Sequence, residues 1–198
     1  MEMYAEAESL AKQVNNDALI GLAKYYAGEL YYIQRMKDEA IDRFMGAAEY
    51  FRKSGKHRSE TISLNKLGMS YVLKDSLDSA FYYFDKSIER AKIHNDSSEL
   101  VHIIPNIAVS LNKVGNTDLA KKYIREYLPT ANDEDKARYY SIMAYCFEKE
   151  NNKDSVIYYT NKTLELLEKE DKYSLKCGVY QLRARMEVND GNYKEALD

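Results

Sequence analysis

The sequence predicts an all-α fold, an alpha-alpha superhelix of antiparallel helix pairs, and three observations carry that prediction. Ala40, Ala80 and Ala120 lie 40 residues apart, and other columns move with them: Gly28, Gly68 and Ala108; Tyr31, Tyr71 and Leu111; Tyr4, Phe44 and Phe84. A fixed period in this range marks a supersecondary unit that buries its apolar face only against its neighbours. Apolar residues recur at steps of three and four along a chain of 198 residues with only two prolines, which reads as helix throughout. Turn signals divide each repeat roughly in half, so each repeat is a helix pair.

The whole of 1–198 reads as one array. Residues 1–16 correspond to a second helix, because Tyr4, Ala7 and Ala11 occupy the positions of Phe44, Ala47 and Phe51. Full repeats follow over 17–56, 57–96, 97–132 and 133–172, and 173–198 begins another. Turns within pairs are expected at 34–36, 74–76, 114–116, 150–152 and 190–192, with Gly115 and Gly191 supplying positive φ. Turns between pairs are expected at 15–17, 54–56, 94–96, 130–133 and 170–172. Asp96 with Glu99, and Asn192 with Glu195, have capping-box spacing. The final second helix has room for fewer than two turns. The helix carrying Tyr180, Ala184 and Val188 is therefore expected to lack cover, so that 193–198 frays or a second copy of the chain forms a homodimer through uncapped ends.

Within each pair a small residue faces another 12 positions on: Gly28 and Ala40, Gly68 and Ala80, Ala108 and Ala120, Ala144 and Val156, Ala184 and Ala196. Helices approach closely where neither carries a long side chain, and the aromatic three residues beyond (Tyr31, Tyr71, Phe147) caps the contact. The fourth repeat starts 36 residues after the third, and Pro129 is expected to end the preceding helix about one turn early. Pro105 falls inside a first helix, where it removes a backbone bond and predicts a kink.

Leu64-x-x-Leu67-Gly68-x-x-Tyr71 followed by Ala80-x-x-x-Phe84 resembles the tetratricopeptide repeat. The resemblance covers nearly the whole chain, although the later units replace the aromatics by Leu111, Ile124, Thr160 and Glu187 and tryptophan is absent. The 40-residue unit, with Asp78-Ser79-Ala80-Phe81-Tyr82-Tyr83 and Asp154-Ser155-Val156-Ile157-Tyr158-Tyr159, is similar to arrays in bacterial signalling proteins. The resemblance implies a non-enzymatic scaffold, the interaction or sensory part of a bacterial regulatory protein, that binds an extended segment on a concave face lined by first helices. Self-assembly is the alternative.

On that face the first two repeats would offer Tyr25, Glu29, Tyr32 and Ile33, then Asn65, Met69 and Val72. The third would offer His102, Asn106, Asn112 and Lys113, and the later ones Arg138, Tyr145, Lys149 and Arg185. The early set is apolar and aromatic, the later set gains cations, and the combination suits a peptide with acidic residues beside aromatic or aliphatic ones. Asn106 and Arg138 match two positions of the family's clamp for a C-terminal carboxylate, whereas Tyr25, Glu29 and Ile142 depart from it.

Other chemistry lacks its residues. A net charge of -3 and a pI near 5.8 disfavour nucleic acid and anionic membrane as partners of this segment. No run approaches the ~18 apolar residues of a membrane span, so the segment reads as soluble; its compartment stays open, cytoplasmic by default and periplasmic if a signal or membrane span lies outside this chain. Cys146 and Cys177 have no metal-ligand spacing and read as buried thiols. His57, His94 and His102 fall on different repeats or in turns, no phosphate-cradling glycine motif occurs, and Asp133 with Asp135 reads as a solvated cap. No catalytic residue, metal ligand or cofactor is expected, and Tyr82, Tyr83, Tyr158 and Tyr159 are expected to pack between layers.

Overall fold

The computed structural model describes residues 2–95, 97–168, 172–189 and 191. Asp96, 169–171, Asp190 and 192–198 lie outside the described residues, and with them the expected capping role of Asp96, the Asn192–Glu195 box, the place of Ala196 and the fraying of 193–198. Ten α-helices and one 3-10 turn make up the described chain, which contains no strand. They are α1 (Glu2–Gln13), α2 (Asp17–Ile33), α3 (Lys37–Lys53), α4 (His57–Leu73), α5 (Leu77–Ile93), α6 (Ser97–Lys113), α7 (Thr117–Tyr127), α8 (Asp133–Lys149), α9 (Lys153–Leu166) and α10 (Tyr173–Asn189), with the 3-10 turn at Leu128–Thr130. Two compact units divide the chain, Met1–Asn106 and Ile107–Asp198. Within each, helices pack against their neighbours in the chain, α1 to α5 in the first and α7 to α10 in the second, where α8 also meets α10.

The repeat length has a local cause. Helices α2 to α5 are each 17 residues long, and the turns that follow α2, α3 and α4 are three residues long. The middle residue of each turn is left-handed: Asn15, Arg35, Gly55, Asp75, Asn95, Gly115, Asn151 and Gly191 all have positive φ. That conformation lets the next N–H reach back to a carbonyl five residues earlier, as in Met36 to Tyr31 (2.9 Å), Lys56 to Phe51 (2.8 Å), Ser76 to Tyr71 (3.0 Å) and Asn116 to Leu111 (2.9 Å). Only three of the eight are glycines, and asparagine and aspartate tolerate the geometry through their short polar side chains. Asparagine also starts helices: the Oδ1 atoms of Asn16, Asn116, Asn132 and Asn152 accept from the N–H three residues on, at 2.9 to 3.3 Å. Glu99 turns its buried carboxylate to Arg58 of α4 at 2.7 Å.

Helix α7 ends at Tyr127, two residues before Pro129, and the chain continues as the 3-10 turn before α8. This shortening absorbs the four residues by which the fourth repeat comes early. Pro105 sits inside α6, which is one uninterrupted helical element over Ser97–Lys113.

The core is built on a size match. A Cβ added at Gly68 would lie 2.7 Å from the Phe84 ring and 3.1 Å from the Ala80 carbonyl, and one at Gly28 would lie 2.9 Å from Phe44. Ala40, Ala80, Phe44 and Phe84 are fully buried. Where the column carries Ala108 or Ala144 in place of glycine, the residue matching Phe44 shrinks to Ile124 or Thr160, both buried. Ala120 and Val156 keep the facing column buried. Tyr31, Tyr71 and Tyr83 border the cluster of Ala40, Ile41, Phe44 and Leu67.

The paired tyrosines pack differently from expectation. Tyr83 stacks on Tyr71 of its own pair (5.3 Å, 6°) and Tyr159 on Phe147 (5.4 Å, 9°), while Tyr82 and Tyr158 stand edge-on to them and stay exposed. The reason is register: positions 12 apart face each other across a pair, so only the second tyrosine points inward. The cysteines also differ. Cys146 is buried, which pushes its thiol up to about 11, and Cys177 is exposed. Asp135, expected in solvent, is buried at the start of α8.

Two charged clusters stitch the units internally. Glu8 of α1, nearly buried, meets Lys12 (2.7 Å), Lys24 (3.3 Å) and Arg43 (2.9 Å), and Lys121 of α7, also buried, meets Glu150 and Asp118. Burial alone would raise both carboxyls, but hydrogen bonds and charge from Lys12 and Lys24, and from Lys121 and Thr117, outweigh it and hold Glu8 and Glu150 below their ordinary value near 4.5.

Gly46 faces only the flexible Lys24 stem, at 3.0 Å, so Gly46→Ala should stabilise by about 0.5–1 kcal/mol through helix propensity. Gly68→Ala gains the same propensity but overpacks Phe84, and should destabilise by about 1–2 kcal/mol net; equal urea midpoints for the two variants would disprove the size match. Depressed carboxyl pKa values add stability that is present above the unfolded value and lost as pH falls through the folded one. Melting temperature should therefore drop below pH 4.5, less steeply in Glu8→Gln, as followed by circular dichroism from pH 7 to 3.

Candidate functional site

The first helices of the pairs are α2, α4, α6, α8 and α10, and they carry every residue expected to bind. In the first unit, Leu22, Tyr26, Glu29 and Ile33 form one stripe of α2 at steps of four and three. Leu22 (42%), Tyr26 (49%) and Ile33 (74%) are exposed apolar groups. Leu22, Tyr25 and Tyr26 line an open cleft of about 180 Å³, closed beneath by Phe51 and on the α4 side by Ser59 and Ile62. Tyr25 is half-buried, packs edge-on against Phe44 (5.7 Å) and Tyr26 (5.5 Å), and burial with the nearby Glu29 charge pushes its hydroxyl up to about 12. Glu29 pairs with Lys66 of α4 at 3.0 Å, and the same ammonium lies 6.0 Å from the centre of the Tyr32 ring. Burial and Glu29 raise the Tyr32 hydroxyl as well.

Two expected groove residues are placed otherwise. Val72 (8% exposed) belongs to the core, and Asn65 (5%) is buried with its Oδ1 accepting from Asn106 Nδ2 at 3.1 Å. Their helical positions turn toward the adjacent helices, not to solvent. Met69 is half-buried and His102 exposed. The structure also joins two residues that the sequence kept apart: His57, first in α4, and His94, which ends α5, stack at 3.7 Å and 13°.

In the second unit Asn112 is half-buried, with a buried Oδ1 that has no partner, and the carbonyl of the exposed Lys113 accepts from Lys149 Nζ at 3.2 Å. Arg185 of α10 grips Glu148 of α8 through two hydrogen bonds of 3.1 Å and lies 5.9 Å from the Tyr145 ring centre. The Tyr145 hydroxyl donates to the Gly178 carbonyl at 3.0 Å, and burial raises its pKa. Arg138 has no such partner. It lines a cleft of about 340 Å³ with Ser141 and Tyr145 on the α8 side. Leu167 and the start of α10, from Lys172 to Gly178, form the opposite wall, and Lys172 pairs with Glu134 at 2.7 Å.

The sequence reading missed Lys66, Glu134, Glu148, Lys172 and Gly178. All five act across separations of 33 to 38 residues, off the 40-residue column spacing that reveals the fold. Among the described residues no group of three or more His, Cys, Asp or Glu could hold a metal ion, and no helix is long and apolar enough to cross a membrane. No protein-family profile matches the chain, and no curated protein matches it.

The Tyr145 bond fixes α8 against α10. A Cβ on Gly178 would lie 3.2 Å from the Tyr145 oxygen, so the small residue is what lets the hydroxyl approach the backbone. Tyr145→Phe should cost about 1 kcal/mol in urea unfolding, through loss of this part-buried bond. An unchanged midpoint would show that this bond does not hold the pair.

Proposed function

We propose that this chain is a tetratricopeptide-type scaffold, non-enzymatic and coiled as an alpha-alpha superhelix, that binds an extended protein segment on its first-helix face as the interaction or sensory part of a bacterial regulatory protein. The observation that carries the reading is the α2–α4 cleft with the exposed stripe beside it. Leu22, Tyr26 and Ile33 are three large apolar groups held in water on one helix face, next to an opening floored by Phe51. A face that is merely solvated would be polar at those positions. The repeat supports the family assignment through Gly68, whose close approach to Phe84 unites the two helices that carry the motif.

Recognition on this face rests mainly on apolar side chains entering between helices, with tyrosines supplying area at low entropic cost. A tiled library of fluorescent 15-residue peptides, screened by anisotropy against the purified chain, should yield ligands rich in aromatic or aliphatic residues. Tyr26→Ala with Ile33→Asp should weaken those ligands at least tenfold without changing helix content. Ligands that bind this double variant as well as the parent would place recognition elsewhere.

Self-assembly is favoured instead by α10, where Tyr173, Tyr180 and Val188 are exposed. Light scattering that shows mass rising with concentration, abolished by Tyr180→Glu, would support that reading.

A further inference from the structure

We propose that the cleft between α8 and the start of α10 is a binding site for a phosphate monoester. The inference goes beyond peptide binding and does not rest on it, since it concerns a different unit and different residues.

Four features converge on this one opening. Arg138 is half-buried and makes no ion pair or hydrogen bond among the described residues. Ser141, one turn along the same helix, is 3% exposed, lines the cleft, and has a hydroxyl without a partner. That hydroxyl opens into the cleft and is available to a ligand oxygen. From the facing wall, Ser174 and Leu175 bring the first turn of α10, a helix of 17 residues; the Leu175 and Lys176 N–H groups already bond the Lys172 carbonyl at 3.1 Å, which leaves the Ser174 N–H for a ligand. Lys172, already held to Glu134, completes the rim.

Charge decides between oxyanions. Among the described residues that line the cleft, Arg138 and Lys172 against Glu134 leave one net positive charge, and the α10 N-terminus adds about half a charge. A phosphate monoester carries about -1.5 to -2 at neutral pH and matches this; a carboxylate leaves part of it unanswered. Donor placement points the same way. A planar carboxylate is satisfied by the guanidinium fork alone, whereas three terminal oxygens use the guanidinium, the Ser141 hydroxyl and the Ser174 N–H together. Leu167 and Leu175 then face the organic body, and a volume near 340 Å³ suits a small ester or a single phosphorylated side chain.

The test uses the full chain and four probes in calorimetric titration: phenyl phosphate, benzoate, and phosphotyrosine and phosphoserine hexapeptides. Phenyl phosphate should bind at least tenfold more tightly than benzoate, and its affinity should rise between pH 5 and 7 as its second ionisation near 6 completes. Arg138→Gln should weaken it at least tenfold and Ser141→Ala about threefold to tenfold, with Lys122→Gln on α7 unchanged and all melting curves superimposable. Should Arg138→Gln unfold the chain, Lys172→Gln supplies the second reading, with an expected loss of about threefold. Either phosphopeptide binding tenfold more tightly than phenyl phosphate would identify a protein source, and equal affinity a small ester. Benzoate binding as well as phenyl phosphate, no binding of any probe at millimolar concentration, or an intact affinity in Arg138→Gln would each overturn the proposal.

Discussion

The left-handed residue at the centre of each three-residue turn is the constraint on which the rest depends. It ends a helix abruptly, returns an N–H to the carbonyl five residues back, and launches the next helix after a fixed interval. A 17-residue helix is about 25 Å long, so pairs of equal length meet along their whole faces. Register is then automatic. Positions 12 apart, such as Gly28 and Ala40 or Tyr71 and Tyr83, are brought opposite each other by the turn, and their side chains need only fit.

The fit is by volume and not by residue type. Glycine meets phenylalanine in the first two pairs, alanine meets isoleucine or threonine in later ones, and the column remains buried throughout. This explains why the motif fades along the chain while the helix pairing persists. A change on one helix is tolerated when its partner compensates, and a motif written as residue types loses track of it.

The same physics sets what was legible in the sequence. Turn positions and helix number could be read, because they depend on local chemistry repeated at fixed spacing. The exposure of Tyr82 and Tyr158 could have been read too, since a residue one step from an inward-facing tyrosine rotates by about 100° on a helix. The asparagine caps at Asn16, Asn116, Asn132 and Asn152 lay in turns already located, and were hidden only because the same residues also serve as turn formers. The site was less legible. Glu29 with Lys66, Glu148 with Arg185 and Tyr145 with Gly178 join residues of adjacent repeats whose identities never recur. No column announces them, and only the helix-to-helix geometry does.

These cross-repeat bonds have a consequence for recognition. Most of the charge on the first helices is already committed: Glu29, Glu148 and Arg185 are paired with neighbouring helices, and Asn65 with Asn106. A ligand competing for such groups must break a bond to make one, and the net gain is small. Specific binding energy must therefore come from groups that are held in place without a partner. On the first unit these are apolar, Leu22, Tyr26 and Ile33; on the second they are Arg138 and Ser141. Each set is supported by rigid neighbours, Tyr25 packed on Phe44 in one case and Tyr145 anchored to Gly178 in the other. The free surface is thus apolar on one unit and cationic on the other, and the bonded residues of each unit act as fixed framework within it.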